Sequence, residues 1–159
     1  MPRIALTLRL ATTRDAAAMA SMSRALIEVG LNWRYTPPRI AALIGDRDNV
    51  ALVACDGASI EAFAVMRFGD ETAHLILLGV QSARQRQGVG RRLVAWLVES
   101  ARVAGMASIG VELRAGNAPA LAFYRALGFV ETGFVPGYYG GEFAARRMLR
   151  PLRPDAAPS

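Results

Sequence analysis

The chain has 159 residues, of which 53% are hydrophobic, enough to bury the core of one domain, which we place at residues 1–150 with a disordered, proline-rich tail at 151–159. Its formal charge is +6, from 19 basic and 13 acidic residues, and every basic residue is arginine. The absence of lysine excludes Schiff-base chemistry and a P-loop, and the single cysteine excludes an internal disulfide and a cysteine-based metal cluster, so we expect no metal site.

The positive charge indicates an acidic partner, which could be nucleic acid, a membrane surface or a phosphorylated small molecule. Its distribution favours a small molecule, because four arginines surround one glycine-rich segment: Arg84, Arg86, Arg91 and Arg92. No apolar run approaches the roughly 18 residues of a membrane span, and the N-terminus lacks the pattern of a secretory signal. We therefore expect a cytoplasmic protein that binds neither nucleic acid nor membrane.

Apolar periodicity and turn residues predict the elements in chain order. The first half should contain a strand, a helix, an aromatic loop, a short helix and an antiparallel meander of three strands: Ile4–Leu10, Ala16–Val29, Leu31–Pro38, Arg39–Ile44, Val50–Cys55, Ile60–Phe68 and Ala73–Val80. The second half should contain a helix, a strand, a helix and two strands: Gly88–Ala104, Ser108–Leu113, Pro119–Leu127, Phe129–Phe134 and Ala144–Leu149. This order predicts a mixed α/β (α+β) fold, with a central sheet of about seven strands and about four flanking helices.

The segment Gln85-Arg86-Gln87-Gly88-Val89-Gly90 directly follows a predicted strand and opens a predicted helix. Its two glycines allow a tight turn and a close approach of the backbone to a ligand. The N–H groups in the first turn of a helix have no partner within the helix and carry the positive end of its dipole, so they attract anions. The segment therefore predicts a cradle for a pyrophosphate.

A nicotinamide dinucleotide site is a rival interpretation. Gly88-Val89-Gly90 supplies two of the three Rossmann glycines, and Glu112 lies close to the ~20-residue spacing expected of the acidic residue. However, Leu93 replaces the third glycine, the pattern lies in the middle of a short chain, and no second domain is available for a reducible substrate. We therefore favour a different pyrophosphate ligand.

A wider pattern resembles the GNAT superfamily of acetyl-CoA-dependent N-acyltransferases. It joins Val80, the Gln85-x-x-Gly88-x-Gly90 loop and the segment Asn117–Phe129, and the resemblance extends from the first strand to about Leu149. It implies acetyl-CoA as cosubstrate, with the loop holding the pyrophosphate and the preceding strand facing the pantetheine arm. The cofactor-binding residues implied by the resemblance are Leu78, Gly79, Val80, Gln85, Arg86, Gln87, Gly88, Val89, Gly90, Arg91 and Asn117.

Acyl transfer to an amine requires removal of the amine proton and protonation of the departing thiolate. Tyr124 stands where the family has the tyrosine that protonates the CoA sulfur; without the resemblance it would be a half-buried core aromatic. Thiols titrate near ~8.5 and tyrosine near ~10, so a hydrogen-bonded phenol can supply the proton without large pKa tuning. Glu112 lies twelve residues before Tyr124, the separation found in RimI-like protein N-terminal acetyltransferases, where the glutamate is the general base.

Two further polar residues have more than one interpretation. Asn117 could bind the cofactor arm, cap the following helix, or do both. His74, the single histidine, could serve as a base or simply lie at the surface end of a strand.

Two aromatic segments are candidates for binding the acceptor. Tyr138 and Tyr139 resemble the tyrosine loop that closes over the peptide in protein N-terminal acetyltransferases. Trp33 and Tyr35 lie in a loop of the kind that often lines ligand sites. We therefore predict transfer of an acetyl group to the N-terminal amine of a protein or peptide, by a monomer or homodimer.

Direct transfer in a ternary complex is favoured because Cys55 ends a predicted strand as a small buried hydrophobe rather than a nucleophile. Two alternatives stay open. The acceptor could be a small amine, such as a polyamine, an amino acid or an antibiotic. The protein could instead be a non-catalytic acyl-CoA sensor, although the presence of both Glu112 and Tyr124 argues against that.

Overall fold

The computed structural model describes residues 5–154. This range contains, in chain order, β1 (Thr7–Leu10), α1 (Ala16–Leu26), α2 (Pro37–Gly45), β2 (Asn49–Asp56), β3 (Ser59–Phe68), β4 (Thr72–Val80), α3 (Val89–Val103), β5 (Ser108–Arg114), α4 (Ala118–Ala126), β6 (Val130–Tyr139) and β7 (Phe143–Pro151). Single turns of 3-10 helix, Thr13–Asp15 and Ser82–Arg84, come before α1 and α3. The predicted mixed α/β fold with seven strands and four helices is confirmed.

The strands form one sheet in the order β1-β2-β3-β4-β5-β7-β6. β2 pairs antiparallel with β1 and β3, β4 pairs parallel with β5, and β7 pairs antiparallel with β5 and β6. The parallel pair needs a long crossover connection, which α3 provides. β6 lies at the edge of the sheet, although it precedes β7 in the chain.

The chain divides into two compact units, and the first comprises residues 1–67 and 77–97. Its described part has an apolar core of Leu6, Leu52, Ala54, Ala62, Val89 and Leu93. Val89 and Leu93 lie one helical turn apart, so the start of α3 buries this face against β2 and β3. This packing fixes the position at which α3 begins.

The second unit comprises residues 68–76 and 98–159. In its described part β5 lies between β4 and β7, and Ile109, Val111 and Leu113 are all buried. Because side chains alternate along a strand, these three share one face of β5. Gly110 and Glu112 therefore lie together on the other face.

The largest differences from the predicted boundaries in the first half, three residues each, are at β1 and α1. β1 begins at Thr7, and the predicted start of that strand, Ile4, lies outside the described residues. α1 ends at Leu26, three residues before the predicted end at Val29. The buried Glu28 explains the early end, because its carboxylate accepts hydrogen bonds from a serine of α1 and from two backbone N–H groups of the following loop.

β6 extends to Tyr139, five residues beyond the predicted end at Phe134. It includes Pro136, which has no N–H to donate to a neighbouring strand. Edge strands tolerate proline because one row of their N–H groups has no partner in the sheet. The predicted tyrosine loop is therefore partly strand, and the turn itself is confined to residues 140–142.

The sheet also includes Pro151, the first residue of the predicted disordered tail. β7 ends at Pro151, and the N–H of Leu152 donates to the Ala107 carbonyl at 2.8 Å. The rest of that predicted tail, residues 155–159, lies outside the described residues, and the single domain at residues 1–150 stays a prediction. Within residues 5–154, no helix combines the length and apolar character needed to cross a bilayer.

Candidate active site

The loop between β4 and α3 turns through left-handed backbone at two positions. Gly88 has φ +78° and Arg86 has φ +63°. Arg86 is the one non-glycine residue of the described chain with a positive φ. Side chains beyond glycine are strained there by roughly 1–2 kcal/mol, and such strain is often found at functional sites.

Two glutamine side chains fasten this loop to the turn before it. Gln85 Nε2 donates to the Val80 carbonyl at 3.1 Å, and Gln87 Nε2 donates to the Ala83 carbonyl at 3.0 Å. Both glutamines are exposed, so their bonds stabilise the shape of the loop without burying it. The backbone is thereby held ready before any ligand arrives.

The start of α3 has the geometry that an anion cradle requires. The Arg92 N–H donates to the Gly88 carbonyl at 3.0 Å, which is the first bond of the helix. The N–H groups of Val89, Gly90 and Arg91 consequently have no acceptor within the helix. A Cβ added to Gly88 would meet no atom within 4 Å, so the space above this turn is open. An open turn with helix N–H groups fits a diphosphate.

Two of the four arginines near this loop are bound to protein groups. Arg84 Nη2 lies 2.8 Å from Asp56 Oδ2 and 3.3 Å from Glu61 Oε1. Arg92 Nη1 donates to the Leu6 carbonyl at 3.1 Å. The charge available to a ligand is therefore smaller than four neighbouring arginines suggested.

The other two, Arg86 and Arg91, are exposed at the loop and on the first turn of α3. They can supply charge to a bound phosphate from opposite ends of the glycine turn.

The predicted pantetheine-facing residues form the carboxyl end of β4. Leu78 and Val80 are half-buried and pack against the apolar core of the first unit. Gly79 is buried, and a Cβ on it would come within 2.8 Å of the Phe63 ring. A side chain at residue 79 would therefore have to displace the Phe63 ring.

A row of polar side chains crosses β4, β5 and β7 in the second unit. His74 Nε2 lies 2.7 Å from Glu112 Oε2, and Arg147 Nε lies 3.5 Å from Glu112 Oε1. Arg147 is directly opposite Glu112 in the β5–β7 register, and Gly110 is opposite His74 in the β4–β5 register. A Cβ on Gly110 would already lie 3.7 Å from His74 Nδ1, so the small residue leaves room for the imidazole.

These neighbours keep the Glu112 carboxyl ionised. Desolvation is the largest single influence and raises its pKa, but hydrogen bonds and charges from His74 and Arg147 together lower the pKa of Glu112 below its ordinary value. The side chain is 17% exposed, so it keeps limited contact with solvent. An ionised, oriented carboxylate can accept a proton.

Tyr124 of α4 is buried between two aromatic rings. The ring centroids of Phe123 and Phe129 lie 5.1 Å and 5.2 Å away, both edge to face. Burial raises the pKa of Tyr124 well above its ordinary value, and Tyr139 adds to the shift. The phenol therefore stays protonated at neutral pH, far from the ordinary titration assumed in the sequence argument, and keeps its proton available to a ligand.

Asn117 caps α4. Its Oδ1 accepts a hydrogen bond from the Ala120 N–H at 3.1 Å, the geometry of an N-cap. The capping interpretation is thereby confirmed, and a second role toward the cofactor arm stays a prediction.

The aromatic loop after α1 is held by Glu28 and covered by arginines. Glu28 Oε1 accepts the N–H groups of Arg34 and Tyr35 at 2.7 Å and 3.2 Å. Arg24 stacks 4.9 Å from the Trp33 ring, and Arg34 lies 5.9 Å from the Tyr35 ring. The predicted acceptor-binding residues Trp33 and Tyr35 therefore lie in an ordered, positively charged loop of the first unit.

The two other predicted acceptor-binding residues end β6 in the second unit. Tyr138 and Tyr139 meet edge to face at 4.8 Å, and the Arg114 guanidinium lies 5.9 Å from the Tyr139 ring. Tyr138 is 43% exposed and thus accessible to a ligand. Because Tyr139 also acts on the pKa of Tyr124, the structure brings a predicted acceptor residue close to a predicted catalytic one.

Sequence reasoning missed Arg147 and Gly110 as parts of the Glu112 environment. Both are identified by strand register, which a single sequence does not state. A signal existed only for Gly110, since a glycine inside a predicted strand often marks a close approach. Within residues 5–154, no three His, Cys, Asp or Glu side chains are grouped so that they could hold a metal ion.

The fold and the arrangement of these groups are those of an acyltransferase. The sequence profile of the acetyltransferase (GNAT) family matches residues 19–129, which is most of the chain. The chain belongs to this family.

Two curated relatives share part of the sequence. The ribosomal protein bS18-alanine N-acetyltransferase of Escherichia coli (strain K12) is 38% identical over 78 residues, which are 49% of this chain and 53% of that enzyme. The N-alpha-acetyltransferase RimI of Mycobacterium tuberculosis (strain H37Rv) is 42% identical over 62 residues, 39% of this chain and 37% of that protein. The chain spans about half the length, or less, of these relatives.

Solved structures match over nearly the whole chain. The ribosomal-protein-S18-alanine N-acetyltransferase from Escherichia coli has a TM-score of 0.81 and 27% identity, covering 92% of this chain and 94% of that one. Ard1 from Thermoplasma volcanium has a TM-score of 0.84 and 27% identity, covering 94% and 99%. Arabidopsis thaliana NAA60, solved with a bisubstrate analogue, shares the fold at 16% identity, with a TM-score of 0.79 and coverage of 91% and 96%.

Proposed function

We propose that the protein transfers an acetyl group from acetyl-CoA directly to the N-terminal amine of a protein or peptide. Membership of the acetyltransferase family supports the reaction class, and the names of the two curated relatives support an N-terminal acceptor. The observation that carries the acceptor class is the Glu112 carboxylate, held by His74 and Arg147 with a lowered pKa.

A carboxylate of lowered pKa is a weak base, which limits the amines it can serve. An N-terminal amine has a pKa of about 7.7–8.0, so roughly a quarter to two fifths of it is already neutral at pH 7.5. A lysine-like alkyl amine has a pKa near ~10.4, so about one molecule in a thousand is neutral at that pH. Glu112 therefore suits an N-terminal amine better than a polyamine or a lysine side chain.

Acetyl-CoA, when bound, supplies the acetyl group as a thioester. The backbone of residues 85–91 and the exposed Arg86 and Arg91 would hold its diphosphate in the open cradle above Gly88. The end of β4 would provide backbone groups for the pantetheine arm, since Leu78 and Val80 already use their side chains in the core.

The second unit would handle the protons. Glu112 takes up the amine proton, with His74 and Arg147 fixing the carboxylate orientation. The buried phenol of Tyr124 donates a hydrogen bond, and then a proton, to the departing sulfur. A cytoplasmic location, a monomer or homodimer, and the lack of binding to nucleic acid or membrane belong to this proposal as well.

The test measures acetyl-CoA consumption with three acceptors: peptides with alanine or serine termini, the same peptides blocked at the terminus but containing lysine, and spermidine. We expect turnover with the unblocked peptides, and a loss of at least about 100-fold in Glu112→Gln and in Tyr124→Phe. Preference for spermidine would identify a small-amine enzyme. Tight CoA binding without turnover of any amine would identify a sensor.

A further inference from the structure

The residue just before the proposed diphosphate-binding loop forms an ion cluster. Arg84 ends the 3-10 turn Ser82–Arg84, and its Nη2 contacts two carboxylates: Asp56, the last residue of β2, and Glu61 in β3. The distances are 2.8 Å to Asp56 Oδ2 and 3.3 Å to Glu61 Oε1. The cluster thus joins the segment before the loop to the turn between β2 and β3.

The cluster is more than a surface ion pair. The side chains of Arg84 and Glu61 are each 19% exposed, and that of Asp56 is 36% exposed. Exposed pairs contribute little, but removing one partner of a largely covered pair leaves a desolvated charge. The same turn is also tied to β3 by the Gln81 N–H, which donates to the Glu61 carbonyl at 2.9 Å.

The charges of this cluster have the wrong sign for attracting a phosphate. One arginine and two carboxylates sum to a net negative charge, directly beside a loop proposed to bind a diphosphate. A purely electrostatic contribution of this cluster would therefore weaken the binding of CoA. The cluster can favour CoA binding only by holding the loop of residues 85–91 in position.

We infer that Arg84 is a positioning residue for coenzyme A, holding the loop of residues 85–91 in its binding position through Asp56 and Glu61. This inference rests on the proposed use of acetyl-CoA. In this role Arg84 contacts carboxylates of the protein and not the phosphate groups of the ligand.

The direction in which the affinity for CoA changes distinguishes a positioning role of the cluster from a purely electrostatic one. The double variant Asp56→Asn, Glu61→Gln removes two negative charges and releases Arg84. If the cluster acted by charge alone, the affinity for CoA would rise. If it positions the loop, the dissociation constant for CoA rises instead, and we expect an increase of at least about tenfold, with kcat at saturating acetyl-CoA within about twofold of wild type.

Calorimetry with coenzyme A on the full chain provides the dissociation constant, and urea unfolding verifies that each variant is folded. Arg84→Lys alone should lose less affinity than the double variant, because an ammonium can still reach one carboxylate. The single change Asp56→Asn, which keeps the pair with Glu61, is the milder variant to use if the double variant does not fold.

The matched control is the ion pair between Arg67 Nη2 and Asp46 Oδ2, which is 3.0 Å long, belongs to the same unit and has a more exposed arginine than Arg84. Asp46→Asn should leave the affinity for CoA unchanged. Equal or tighter binding by the folded double variant overturns the inference while leaving the proposed function intact. Failure of the wild-type protein to bind CoA overturns both.

Discussion

His74 and Glu112 meet across the parallel β4–β5 pair, with 2.7 Å between Nε2 and Oε2, because the residue opposite His74 in the register is Gly110. The contact joins a histidine and a glutamate that are 38 residues apart in the chain. It gives the proposed base a fixed orientation and lowers its pKa.

Replacing His74 by alanine should raise the pKa of Glu112. Desolvation would still favour the protonated carboxyl, while one of the two groups that favour the ionised form would be gone. The pKa is measured by NMR titration of the glutamate side-chain carboxyl carbons, and kcat/KM should fall by about tenfold. Arg125→Ala is the control, because Arg125 pairs with Glu131 and not with Glu112. An unchanged or lower pKa for Glu112 would contradict this prediction.

Replacing Tyr124 by phenylalanine should reduce kcat by about 100-fold or more, since it removes the proposed proton donor while keeping the ring between Phe123 and Phe129. The KM for acetyl-CoA should change little. The free energy of unfolding in urea should change by about 1 kcal/mol or less, as expected for one hydroxyl. A variant with wild-type kcat would remove Tyr124 from the mechanism.

Gly88→Ala should raise the dissociation constant for CoA while lowering the free energy of unfolding only modestly. The left-handed φ of +78° costs a side chain roughly 1–2 kcal/mol, although no atom stands in its way. Gly105 offers a matched control, since it has φ +81° and equally open surroundings at the end of α3. Both variants should lose similar stability in urea, and only Gly88→Ala should raise the dissociation constant measured by calorimetry. Equal affinities would contradict the cradle.

Gly79→Ala should destabilise the protein by about 1–3 kcal/mol, because its Cβ would come within 2.8 Å of the Phe63 ring. Phe63→Leu makes room, so the loss in the double variant should be smaller than the sum of the two single losses. Urea unfolding of all four proteins completes the cycle. Gly110→Ala, where the nearest atom is 3.7 Å away, should be much milder. Strict additivity would show that Gly79→Ala does not act through a clash with the Phe63 ring.

Asp15→Asn should lower stability at pH 7 and lose its effect in acid. Arg9 donates to both carboxylate oxygens of Asp15, at 2.8 Å and 2.9 Å, and this contact lowers the pKa of Asp15. A lowered folded pKa stabilises the protein above the unfolded value of about 3.9 and stops doing so as the pH falls through the folded value. We expect a difference of about 2 kcal/mol in urea at pH 7, shrinking below pH 4. A difference that grows in acid would reverse the assignment.

Local features of the site could be predicted from the sequence. The predicted start of α3 at Gly88 is within one residue of the observed start at Val89, because glycine spacing and helical periodicity are properties of adjacent residues. The cap at Asn117 is equally local, since its acceptor partner is three residues away. The roles proposed for Glu112 and Tyr124 depend on their separation within a family pattern.

The surroundings of those residues could not be predicted in this way. Arg147 reaches Glu112 only because β7, and not β6, lies beside β5. The end of α1 depends on Glu28, whose burial is decided by the path of the following loop. Such features follow from tertiary contacts, which outweigh local periodicity at element ends.

The left-handed backbone at Arg86 has an evolutionary consequence. Glycine would relieve the strain at this position, by roughly 1 kcal/mol after its greater unfolded-state entropy is counted. Selection for heat resistance alone would therefore drive residue 86 toward glycine, at the expense of a cation beside the cradle. Variants recovered from a thermal screen would therefore gain thermal stability and lose activity.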